Sequence, residues 1–167
     1  LYGKEEILKT LRNQNHKFLD GNYPYTINPG GPNHEELVSL IGIYEYFDDL
    51  YKHHFSNQNL SISNKISMIN QLISEHEKII ANPILKYLDN RKDLKLLGKN
   101  KIGNKDRAPT ISFVSSKKTS KEISEKLVEN KIATRNDNFY AWRCLKHLGI
   151  DPEDGVVRLS MTHYNST

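Results

Sequence analysis

Apolar residues recur at helical spacing through the first half of the chain and alternate along the last third. Tyr2–Arg12 opens with Glu5 and Glu6 and carries Ile7, Leu8 and Leu11 on one side, which predicts a short helix ending near Asn13–Asn15. Asp20–Pro32 holds Gly21, Pro24, Pro29, Gly30, Gly31 and Pro32, a composition that excludes a long regular element and predicts a connection. Asn33 then stands as an N-cap, with Glu36 at the third helical position in a capping-box arrangement. Leu37, Leu40, Ile41, Tyr44, Phe47 and Tyr51 follow as one stripe, which Val38, Ile43, Tyr46 and Leu50 widen. The pattern predicts a helix buried on more than one side. A polar loop, Ser56–Ser63, leads to a second long helix with Ile66, Ile69, Leu72, Ile73, Ile79 and Ile80 inward. Pro83 is expected to kink or interrupt it before Ile84–Leu88.

Beyond residue 107 the period shortens. Thr110–Ser115 reads as a strand, with Ile111 and Phe113 alternating. Thr119 and Glu122 cap a helix that packs Ile123, Leu127 and Val128. Lys131–Asn136 reads as a second strand, and Asp137 or Asn138 starts a helix through Phe139–Leu148 that Gly149 closes. Val156–Tyr164 is the last strand, with Val157, Leu159 and Met161 on one face and Val156, Arg158, Ser160 and Thr162 on the other. The tail is thus a β-α-β-α-β unit, and the fold class is α/β: long helices followed by a small open-sheet subdomain.

Composition narrows the function classes. The 167 residues contain no run of apolar residues near the roughly 18 that a membrane-spanning helix needs. One cysteine excludes a disulfide framework and a cysteine-rich zinc module, and fits a reducing, cytoplasmic setting. The net charge of +4 comes from 24 basic against 20 acidic residues. The densest basic stretch, Arg91–Arg107, lacks interleaved aromatics to stack on bases. It reads as a solvated connection, with a non-enzymatic nucleic-acid-binding module as the alternative.

Three features could carry chemistry. Pro29-Gly30-Gly31-Pro32-Asn33 is either a plain turn or a phosphate-binding turn, since free N–H groups lead into a helix N-terminus. Arg158 must find a partner or open water; its fork suits a carboxylate, and a structural salt bridge serves it equally well. Cys144 and His147 share a helix face but make only half a zinc site, and Cys144 among Trp142, Leu145 and Leu148 reads as a buried small hydrophobe. His53 and His54 are adjacent and diverge on a helix. No metal site is expected, and no Ser-His-Asp arrangement, P-loop or paired-carboxylate spacing stands out.

Five segments carry a family resemblance, in order along the chain. They are Leu1-Tyr2-Gly3-Lys4, Pro29-Gly30-Gly31-Pro32-Asn33-His34-Glu35, Arg107-Ala108-Pro109-Thr110-Ile111-Ser112-Phe113, Asn138-Phe139-Tyr140-Ala141, and Val157-Arg158-Leu159-Ser160 with His163-Tyr164-Asn165. Together they resemble the class V aminotransferase and cysteine desulfurase-like family of pyridoxal-phosphate enzymes. The resemblance implies the C-terminal part of a fold type I, aspartate aminotransferase-like enzyme acting as a homodimer on a small amino-acid-like substrate. Residues 1–95 would finish the large cofactor-binding domain and supply connecting helices, and 96–167 would form the small α/β domain. The Schiff-base lysine would lie just upstream of Leu1, so no catalytic residue is expected within this chain, and the last helix would follow Thr167. Gly30 and Gly31 would be the cofactor-binding residues; Gly31 stands where desulfurases place a threonine that reaches the cofactor phosphate across the dimer interface. Arg158 matches the arginine that holds the substrate α-carboxylate. Tyr140 stands where some desulfurases carry their sulfur-accepting cysteine, which points to a lyase, epimerase or aminotransferase instead. A degenerate, purely structural homologue is the remaining alternative.

Overall fold

The computed structural model describes residues 3–22, 25–28, 30–57, 59–103 and 107–166. The chain divides into two compact units, 1–66 and 67–167, each described by itself.

In the first unit the helix expected over Tyr2–Arg12 is a single turn, α1 (Glu5–Leu8), and Leu1 and Tyr2 lie outside the described residues. No residue of α1 is buried. A lone turn without a packed face gains too little to propagate. The following loop closes on itself: Gln14 N–H donates to the Thr26 carbonyl at 2.7 Å, and Asn15 Nδ2 reaches the carbonyls of Tyr25 and Asn28.

Asn33 caps α2 (His34–His54) as expected, its Oδ1 accepting the Glu36 N–H at 3.0 Å. The C-terminal end of α2 is fixed by polar groups. Asp48 accepts from Lys52 and, across the turn, from Lys65 at 2.9 Å, which hold its carboxyl below the usual carboxylate range. Tyr51, fully buried, donates its hydroxyl to the Asn57 carbonyl at 2.6 Å.

The rest of α2 departs from its sequence pattern. Leu37, Val38, Leu40, Ile41, Ile43, Tyr44 and Tyr46 are all exposed. Hydrophobic periodicity identifies faces that want cover but not what covers them. A four-residue α1 cannot screen a helix that is about 30 Å long. Exposed apolar surface of this extent drives association. We expect the chain to dimerise or aggregate and to bind an apolar dye; a monomer by light scattering at high concentration, with no dye signal, would contradict this.

α3 (Ile62–Asp89) begins in the first unit and ends in the second. It runs through Pro83 rather than breaking there. Proline removes the hydrogen bond to the carbonyl four residues earlier, here that of Ile79. Ile79 is exposed instead of inward, so that carbonyl sits on the solvent side. Ala81, Leu85 and Leu88 on the other side are buried in the core.

Four strands form an antiparallel sheet in the order β1-β2-β4-β3: β1 (Leu94–Leu97), β2 (Thr110–Ser115), β3 (Arg135–Asp137) and β4 (Val156–Ser160). β2 matches its predicted bounds. β1 lies inside the basic stretch expected to be a connection. There Arg91 makes a two-point contact with Asp93, and Arg107 turns inward to the carbonyls of Leu97 and Thr110.

Helix α4 (Ser120–Glu129) carries the predicted Thr119–Glu122 capping box. Its first turn is also tied to the loop before β4, since Ser120 N–H donates to Asp154 Oδ1 at 2.9 Å. One sheet face packs Ile111, Phe113 and Val157 against α3, with Ile123 and Leu127 of α4 alongside. The other face carries a smaller cluster, Val156 with Leu145 and Ile150, joined by Leu97, Val114 and Phe139. Leu145 belongs to α5 (Trp142–His147), which is shorter than expected. Phe139 and Tyr140 have φ of 50° and 61°, outside the right-handed region, so α5 starts only after them.

Candidate functional site

The site grows from the pairing of β3, β4 and β2. Arg158 lies opposite Arg135 on β3 and Ser112 on β2. Strand alternation puts these three side chains on one face, that of Val156. The turn before β4 sets the position of Arg158. Asp151 accepts the Glu153 N–H through its side chain and the Gly155 N–H through its carbonyl. Gly155, at φ 69°, lets the backbone of Asp137 and Asn138 pass directly against it; a β-carbon there would overlap the Asp137 carbonyl.

That close approach fixes the loop after β3. Asn138 Oδ1 accepts the Tyr140 N–H at 3.0 Å, the Asn138 carbonyl accepts from Ala141, and Asn138 Nδ2 donates to the Pro152 carbonyl. The result is two consecutive non-glycine residues in the left-handed region, a strain of a kind that concentrates at functional sites. It turns the Phe139 ring over the sheet, where the Arg158 guanidinium lies 3.8 Å from its centroid. Stacking occupies the flat face of the guanidinium and leaves its N–H edge available.

Among the described residues Arg158 has no carboxylate partner, so the salt bridge that the sequence allowed is not formed. It is half-buried and borders a groove of about 210 Å³, with Ala133, Thr134, Arg135 and Ser160 as the other walls. Drug-sized pockets begin at roughly 300 Å³, so this groove suits a small acid. A planar donor edge at such a groove can take a carboxylate through two charge-assisted hydrogen bonds.

Gly30 and Gly31 belong to the first unit and Arg158 to the second. Both glycines have φ of 86°, and a β-carbon at either would meet open space. The constraint is therefore the backbone angle. A β-branched threonine at Gly31 would sit in a region costing about 1–2 kcal/mol. Pro29 lies outside the described residues.

Other candidates fall elsewhere. Cys144 is exposed rather than buried, because Leu145 takes the inward position on α5. The rings of His53 and His54 turn toward each other, 4.8 Å apart and edge to face, at the C-terminal end of α2. Among the described residues no group of three or more His, Cys, Asp or Glu is placed to hold a metal, and no helix is long and apolar enough to cross a membrane. Phe139, Arg135 and Gly155 are the site residues that the sequence pattern left unassigned. Phe139 stood at the start of a predicted helix, Gly155 gave no periodic signal, and Arg135 stood in a predicted strand whose partner was unknown.

The chain is similar to the aminotransferase-like protein FGM3 of Gibberella zeae, with 23% identity over 168 residues. The likeness is distant, partial and aminotransferase-like. It takes in 99% of this chain but 38% of that protein, so the chain spans well under half the length of the curated relative it matches. No protein-family model matches.

Proposed function

We propose that the chain is the C-terminal part of a pyridoxal-phosphate-dependent fold type I enzyme of the class V aminotransferase and cysteine desulfurase-like kind, in which Arg158 holds the carboxylate of an amino-acid-like substrate. The observation that carries this reading is Arg158 itself: stacked on Phe139, without a carboxylate partner, its edge on a small groove. The likeness to an aminotransferase-like protein supports it.

The residues present fit the cofactor at one end. Gly30 and Gly31, both at φ 86° and just before the capped start of α2, offer backbone N–H groups of the type that accept a phosphate, with no side chain in the way. When bound, pyridoxal phosphate supplies an electron sink for the charge that develops at the substrate α-carbon. Arg158 binds and orients the carboxylate, and Phe139 limits the swing of the guanidinium. Asn138 and Gly155 hold that loop and strand together. A substrate fixed by its carboxylate has one bond at the α-carbon presented to the reacting group, which is a contribution of orientation rather than of proton transfer.

No residue of this chain is assigned the proton transfer, which falls to the lysine expected upstream. The full-length protein reconstituted with pyridoxal phosphate and reduced with borohydride is expected to carry label on one lysine N-terminal to Leu1. The 167-residue chain alone should take only slow, scattered label. A single stoichiometric adduct at one lysine within these residues, mapped by mass spectrometry, would overturn the proposal.

A further inference from the structure

The register of β3 and β4 sets two arginines directly opposite each other. Arg135 pairs with Arg158, on the same face and beside the same groove. Their β-carbons are therefore about 5 Å apart, and like charges in this position destabilise a sheet. The nearest carboxylate on that face of β3 is Asp137, two residues along, opposite Val156. Its Oδ1 accepts the Asn138 N–H at 2.6 Å, and among the described residues it makes no ion pair with either arginine. Lys95, further across the same face, adds to the positive charge.

The two guanidinium groups are held differently. Arg158 is half-buried and stacked on Phe139, which fixes its plane. Arg135 is exposed on the sheet edge and free to swing out over the groove. With one head fixed and the other mobile, the two forks can serve two separate anionic groups. A ligand with two anionic groups separated by a short carbon chain satisfies both.

We infer that Arg135 and Arg158 form a two-point anion clamp, so that the substrate class is an acidic one: an α-carboxylate on Arg158 and a second carboxylate on Arg135. This rests on the reading of Arg158 as the carboxylate anchor. It assigns Arg135 as the residue that sets specificity.

Titration of the full chain with succinate and with acetate, read from the arginine Nε–Hε resonances, tests it. Succinate is expected to bind at least tenfold more tightly than acetate and to shift both arginine signals, whereas acetate shifts that of Arg158 alone. Arg135→Gln should bring succinate down to the affinity of acetate and leave acetate within twofold. Arg135→Lys should recover only part of the succinate preference, because it keeps the charge without the fork. Ligand-free Arg135→Gln should melt no lower than the wild type, since repulsion is relieved. Equal affinities for succinate and acetate in the wild type, no saturable shift with succinate, or unchanged succinate binding in Arg135→Gln would overturn the clamp. If Arg158→Gln abolishes acetate binding while Arg135→Gln changes nothing, the clamp fails and the anchor stands. If Arg158→Gln leaves acetate binding unchanged, the anchor fails and takes the clamp with it.

Discussion

Gly155→Ala is expected to destabilise the second unit by about 3 kcal/mol. Two effects add. At φ 69° any β-carbon is strained, at a cost of about 1–2 kcal/mol. The new methyl would also overlap the Asp137 carbonyl, backbone that cannot rotate away as a side chain could, and overpacking of this kind costs about 1–3 kcal/mol. Gly149 provides the control. It has nearly the same backbone angle, φ 71°, but open space around its missing β-carbon. Gly149→Ala should therefore show the conformational cost alone. Urea unfolding followed by fluorescence of Trp142, the chain's one tryptophan, reads both variants. Equal midpoints for the two would mean that β4 and the loop after β3 do not pack as closely as described.

How far the sequence reached depends on how local each signal was. The Asn33 cap, the Thr119–Glu122 box and strand β2 were legible because each is decided by a few neighbouring residues. The burial of α2 was not. Its apolar positions are spaced for packing, but the partner that would cover them is not encoded in the spacing. β1 was hidden in a lysine-rich stretch, since four residues give too short an alternation to stand out. Pro83 was expected to kink or interrupt the second long helix; α3 continues through it, with Ile79, whose carbonyl loses its partner, on the exposed side.

The site divides in the same way. Alternation along β4 placed Arg158 on the face opposite Val157 and Leu159, and that is where it lies. The same face is not bare, however: Val156 is buried there under Leu145 and Ile150, and the Phe139 ring covers the guanidinium. Those contacts depend on the β3–β4 register and on two left-handed residues. Neither is a property of any single segment, so periodicity could not reveal them.

Arg158 carries the functional account, and its replacement in the full-length protein has the largest expected effect on activity. A carboxylate held by the fork of a half-buried arginine loses two charge-assisted hydrogen bonds on truncation. The loss should be about 2–4 kcal/mol in kcat/KM, roughly 30- to 1000-fold. Arg158→Lys should recover little, because a point charge cannot reproduce the planar contact. Stability should move little in either variant. Loss of the stacking on Phe139 costs roughly 0.5–1 kcal/mol at a partly exposed site, and relief of the repulsion from Arg135 offsets part of it in Arg158→Ala. The measurement is kcat/KM on an amino-acid substrate beside the melting temperature, for wild type, Arg158→Ala and Arg158→Lys. The account predicts a large loss of kcat/KM in both variants at nearly unchanged melting temperature; near-normal turnover with a lowered melting temperature would make Arg158 a structural residue and contradict it.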